Sequence, residues 1–122
     1  MVTLLDTNIL IEVLKGNQSI IEKLIPGQQY GISAVCSMEL IYGVRDKAEV
    51  KKIEKALSQL RCYHITSAIS KTALELMQKY SKSHGLAIPD ALIASTAIIE
   101  ELPLFTLNVK DFRYIDTLSL CD

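Results

Sequence analysis

Short apolar runs of strand length alternate along this chain with longer stretches of helical periodicity, and that alternation admits few folds. Val2–Asp6 reads as a strand that ends where Asp6-Thr7-Asn8 offers helix N-cap chemistry. Ile9 to Lys15 then reads as a helix closed by Gly16-Asn17, and Ser19–Leu24 as a second short helix stopped by Pro26-Gly27. Tyr30–Ser33 is strand-like. Val35–Val44 carries Val35, Met38, Ile41 and Tyr42 at helical spacing, and Ala48–Leu60 sets Ile53, Leu57 and Leu60 on one face. Cys62–Ile65 reads as a third strand, followed by a long helix capped by Ser67 and carrying Ile69, Ala73, Leu76, Met77 and Tyr80. His84-Gly85 suits its end, because glycine accepts the left-handed conformation there. Pro89 suits the first turn of the next helix, which runs to Glu101. Leu104–Thr106 is a fourth strand, and Thr117–Leu120 a fifth at the edge. Strand–helix alternation of this kind predicts an α/β fold, a parallel sheet of four to five strands with helices on both faces. The length, 122 residues, suits one domain over 1-122.

Four acidic residues stand at or near the ends of these apolar runs. Asp6 closes Val2-Thr3-Leu4-Leu5, Glu39 sits in Ser37-Met38-Glu39-Leu40-Ile41-Tyr42-Gly43, Asp90 in Ile88-Pro89-Asp90-Ala91-Leu92, and Asp111 follows Leu104-Phe105-Thr106 by a short turn. Ligands of parallel α/β sheets bind at the carboxyl ends of the strands. Residues just past strand ends, or on helices that begin there, face that edge, so all four acids can converge. Buried carboxylates are costly unless a cation or hydrogen bonds compensate them. Oxygen ligands without a histidine cluster suit a hard ion, Mg²⁺ or Mn²⁺. Such an ion removes carboxylate repulsion, activates water and neutralises charge on a phosphodiester. Each acid also has an ordinary role: Asp6 as an N-cap, Glu39 as a solvent-facing helix residue, Asp90 as a first-turn acid favoured by the helix dipole, Asp111 as a turn residue. All of these must hold together to remove the site.

Other chemistries have less support. Net charge is −1, so composition is silent on nucleic acid, and Lys47, Lys51, Lys52 and Lys55 interleave with acids as on a solvated helix face. His64 and His84 supply neither a triad nor a zinc set, and His64 reads as a satisfied residue within a strand. The tyrosines show no base-stacking motif, and the five glycines form no phosphate loop. Ser95 and Thr96, with Ala91, Ala94 and Ala97, are small residues that let a helix approach the sheet closely. Cys36, Cys62 and Cys121 match no metal spacing; the first two read as small buried residues. No apolar stretch reaches the roughly 20 residues of a membrane span, and no basic region precedes the first apolar run. The expectation is a reduced, cytoplasmic setting with no membrane.

With the acids and their flanks in view, the chain resembles the PIN-domain family. Leu5-Asp6-Thr7-Asn8, Ser37 to Gly43, Pro89-Asp90-Ala91-Leu92-Ile93-Ala94-Ser95-Thr96-Ala97 and Thr106-Leu107-Asn108-Val109-Lys110-Asp111-Phe112 are similar, in order and spacing, to motifs of its VapC-type toxin ribonucleases. The resemblance implies a three-layer α/β/α sandwich and a Mg²⁺- or Mn²⁺-dependent endoribonuclease that hydrolyses RNA phosphodiesters with metal-activated water. It also implies a small antitoxin partner and a homodimer. Asp6, Glu39 and Asp90 match the family's acidic metal positions. Asn108 and Asp111 share the fourth place, the amide first and the acid one turn later. Thr7, Asn8 and Thr106 match polar positions near the site, and with Asn108 would orient the reacting groups. Two readings stay beside this one: an RNA-processing nuclease without antitoxin, and a non-catalytic scaffold.

Overall fold

The computed structural model describes residues 1–121. Four parallel strands form one sheet in the order β3-β2-β1-β4: β1 Val2–Leu5, β2 Gln29–Ser33, β3 Arg61–Tyr63 and β4 Leu104–Phe105. Thr3 lies opposite Tyr30, Ile32 opposite Cys62, and Leu4 opposite Leu104. The helices are α1 Thr7–Leu14, α2 Gln18–Ile21, α3 Ala34–Gly43, α4 Lys47–Leu57, α5 Ser67–Tyr80 and α6 Ile88–Ile99, with a 3₁₀ turn at Val109–Asp111. The expected fifth strand keeps its place at the edge but shrinks to one parallel bridge, Leu104 to Leu120. The two-residue β4 offers little more to pair with.

The strand order places the site. Successive crossovers β1–β2 and β2–β3 step one way across the sheet, while β3–β4 steps back past β1. Right-handed crossovers therefore put the α1–α4 connections on one face and α5–α6 on the other. The reversal lies between β1 and β4, where open α/β sheets form their ligand crevice. Asp6 follows β1 and Thr106 follows β4, so both sit in that crevice.

The helices begin where the sequence offers caps. Asp6 accepts from the Thr7 amide, Ser33 from Val35, and Thr66, rather than the expected Ser67, from Ile69. Both β1 and β2 thus pass into a helix within one residue, which fixes how α1 and α3 leave the sheet edge. Leu4, Ile9, Ile32, Ile69, Ile93, Leu104 and Phe112 are sealed in the core. On α6, Ala91, Ala94, Ser95, Thr96 and Ala97 are all buried, as expected of a helix lying close to its neighbours.

On α3 the buried stripe is Val35, Cys36 and Leu40, and Met38, Ile41 and Tyr42 are exposed, Tyr42 at 92%. Two sequence expectations need correction. Cys62 is exposed because β3 is the edge strand and turns only Tyr63 inward. His64 lies past the end of that strand and is also exposed. The lysines of α4 form a solvated face, as read.

Candidate active site

Four elements carry the four acids to one edge of the sheet. Asp6 ends β1 and is 4% exposed. Its Oδ1 accepts from the Thr7 amide at 2.8 Å, and its Oδ2 from the Thr106 hydroxyl at 2.7 Å. Glu39 lies midway along α3, exposed to solvent, and its Oε1 accepts from the Thr7 hydroxyl at 2.8 Å. Asp90 occupies the first turn of α6 and Asp111 the 3₁₀ turn beyond β4.

The polar residues singled out by sequence tie these segments together. Asn8 Oδ1 accepts from the Leu107 amide at 3.3 Å, joining the start of α1 to the loop after β4. The Thr106 hydroxyl accepts from the Asn108 amide at 3.0 Å while donating to Asp6. Thr106 thus fixes both a carboxylate oxygen and the turn that leads to Asp111. Thr7 does the same on the other side, holding Asp6 through its backbone and Glu39 through its side chain.

Electrostatics show that the acids share one field. Burial is the main cause that raises the Asp6 pKa; the Thr106 hydroxyl and Thr7 amide oppose it, and the charges of Glu39 and Asp111 add to it. Asp90 is pushed up to about 6, first by burial and then by the charges of Asp6, Asp111 and Glu39. No cation figures among the causes at either residue. Cys36 lies beside the cluster, but burial pushes its thiol up to about 12, so it is an inert packing group.

The donor set fits a hard cation. It is all oxygen, and among the described residues neither Asp6 nor Asp90 forms an ion pair. Among the described residues, no three His, Cys, Asp or Glu side chains are placed to hold one ion between them. Mg²⁺ does not need such a cage, because it is usually bound through one or two carboxylates and keeps several waters.

Two residues near the acids had no role at the site in the sequence reading, His84 being read as a helix end and the tyrosines as free of a base-stacking motif. His84 stacks on Tyr114 with ring centroids 4.2 Å apart, and the Tyr114 phenol is raised by burial and by the charges of Asp90 and Asp111. Neither lies in a motif, and 30 positions separate them. Only the fold reveals the pair.

The model of the PIN domain matches residues 3–118. A relative from Mycobacterium tuberculosis named ribonuclease VapC10 is 34% identical over 120 residues, covering 95% of this chain and 90% of the relative. Among solved structures, a toxin-antitoxin complex from Klebsiella pneumoniae superposes with a TM-score of 0.80 at 33% identity, covering 95% of this chain and 94% of that one. VapBC2 from Rickettsia felis, bound to a DNA fragment from its promoter, gives a TM-score of 0.81 at 30% identity over 99% of this chain and 98% of that one.

Proposed function

This chain belongs to the PIN-domain family, and from that premise we propose that it is the toxin of a toxin–antitoxin pair, an endoribonuclease that requires Mg²⁺ or Mn²⁺. The observation that carries the reading is the convergence of Asp6, Glu39, Asp90 and Asp111 from four elements into one field at the sheet's switch point. A bare cluster of carboxylates repels an RNA phosphate, so this site is compatible with a polyanionic substrate only when a cation joins it. Names of relatives and neighbours support the same reading.

Asp6 and Asp90 would hold the ion directly and Glu39 through a bound water, with Asp111 adding its charge to the site. When bound, the ion supplies an acidified water and neutralises charge on the phosphate. The chain's own residues prepare that chemistry. Thr106 and Thr7 lock both oxygens of Asp6, so its carboxylate need not reorganise when the cation arrives. Thr7 restrains Glu39, which is otherwise a mobile surface side chain. Asn8 and Thr106 hold the loop after β4 against α1, and so keep Asp111 on the same edge. Asn108 contributes its backbone amide to that brace.

The antitoxin would cover an apolar surface on the early helices. Ile11 is 38% exposed, Leu14 46%, Met38 61% and Ile41 39%, beside the nearly free Tyr42. A groove of about 160 Å³ adjoins Leu14, lined by Leu10, Val13, Leu24, Leu57 and Leu60 among others. A second copy of the chain would complete a homodimer, as the family resemblance implies.

Expression in a bacterial host without a partner is expected to arrest growth and to leave new RNA ends. Glu39→Ala should relieve the arrest at equal protein level. Growth at the normal rate with abundant parent protein would overturn the toxin reading in favour of an RNA-processing nuclease.

A further inference from the structure

An aromatic cluster with no part in the proposed metal chemistry sits on the two segments that carry Asp90 and Asp111. His84 lies in the connection from α5 to α6, which leads straight to Asp90, and Tyr114 lies one turn beyond Asp111. Their rings stack almost parallel, 4.2 Å apart at 13°. Tyr80, 8% exposed, buttresses both edge-on, 5.5 Å from His84 and 5.0 Å from Tyr114. A 2.8 Å hydrogen bond between Ser83 Oγ and His84 Nδ1 fixes the rotation of the imidazole. The charges of Asp90 and Asp111 reach the Tyr114 phenol, so the stack stands at the rim of the acid cluster.

His84 itself is exposed. A ring held flat against one aromatic, braced by another and left open to solvent is preorganised to receive a further ring. Cations accompany it. The Lys79 ammonium lies 5.3 Å from the centroid of the Tyr80 ring, and Lys82, Lys110 and Arg113 are exposed on the same segments. Among the described residues none of these four is in an ion pair. Stacking rings beside unpaired cations are how proteins grip single-stranded nucleic acid, the rings taking bases and the cations taking phosphates.

We infer that the His84–Tyr114 stack is a shelf for an unpaired base of the RNA next to the scissile phosphate. A duplex keeps its bases stacked on one another and offers none to the shelf. The inference rests on the ribonuclease reading and deepens it: His84 is a positioning residue that acts through the base it holds.

The test uses a single-stranded RNA carrying 2-aminopurine at successive positions, whose fluorescence falls when the base stacks. In Ca²⁺, used as a non-cleaving stand-in ion, the parent should quench one position. His84→Ala should lose that quenching and weaken binding about tenfold, while His84→Phe, which restores a flat ring, should recover both. In Mg²⁺ or Mn²⁺, His84→Ala should raise KM about tenfold and change kcat far less. A purely structural role would lower the melting temperature without splitting KM from kcat or responding to phenylalanine. Binding of His84→Ala within twofold of the parent, equal affinity for the matching duplex, or no quenching by the parent would each overturn the shelf. His84-dependent quenching by a parent that cleaves no RNA would leave the shelf standing and sink the nuclease reading.

Discussion

Asp90→Asn is expected to lose roughly a thousandfold in RNA cleavage and yet to melt at a higher temperature than the parent near pH 7. The activity loss follows from removing one charge from the cation site, a change of several kcal/mol in transition-state stabilisation at about 1.4 kcal/mol per factor of ten. The stability gain follows from the raised pKa. Asp90 titrates at about 6 in the folded protein against a reference of 3.8, because burial and the charges of Asp6, Asp111 and Glu39 disfavour its ionised form. The folded state therefore binds the proton more tightly than the unfolded one, and ionising Asp90 costs stability. That cost is full above the folded pKa, fades as pH falls through about 6, and is gone below the unfolded value. The two pKa values set an upper limit of about 3 kcal/mol, and screening at a half-exposed site reduces it to roughly 1 kcal/mol, a few degrees of melting temperature. Melting curves from pH 4 to 8 in chelator check this. A variant that melts below the parent at pH 7, or a gap that does not narrow toward pH 4, contradicts it.

Thr106→Val is expected to damage both fold and activity without touching a carboxylate. It keeps the shape of Thr106 but removes the donor to Asp6 Oδ2 and the acceptor for the Asn108 amide. A hydrogen bond to a charged group contributes about 1.5–3 kcal/mol, and Asp6 is almost wholly enclosed, so water cannot replace it. The same loss raises the Asp6 pKa further, because the Thr106 hydroxyl is the largest influence holding it down. The destabilisation should then be largest near neutral pH and smallest below the unfolded carboxylate value. Activity should fall about 10–100-fold, the usual cost of removing a group that orients a metal-binding side chain. Thr106→Ser restores the hydroxyl and should recover most of both. Equal stability of parent and Thr106→Val at pH 7 would remove Thr106 from the site.

The fold was largely legible because its signals are local. Strand-length runs end at Asp6 and Ser33, each able to cap the helix that follows, and Pro89 marks the start of α6. The acids were legible for the same reason: a charge beside an apolar run stands out without any tertiary knowledge. What escaped depends on long-range geometry. The exposure of Cys62 follows from β3 standing at the sheet edge, which is a property of strand order rather than of Cys62-Tyr63-His64-Ile65. The His84–Tyr114 stack needs α5, α6 and the turn after β4 already packed together.

Four converging carboxylates are expected to make one cation-dependent site for cutting RNA. Incubating total RNA with the purified protein in Mg²⁺, in Mn²⁺ and in excess chelator, beside Asp6→Ala, tests it most directly. Discrete cleavage by the parent is expected in either ion, with none in chelator and none by the folded Asp6→Ala variant under any condition. Undiminished cleavage in chelator, or by Asp6→Ala with the ion present, would contradict it.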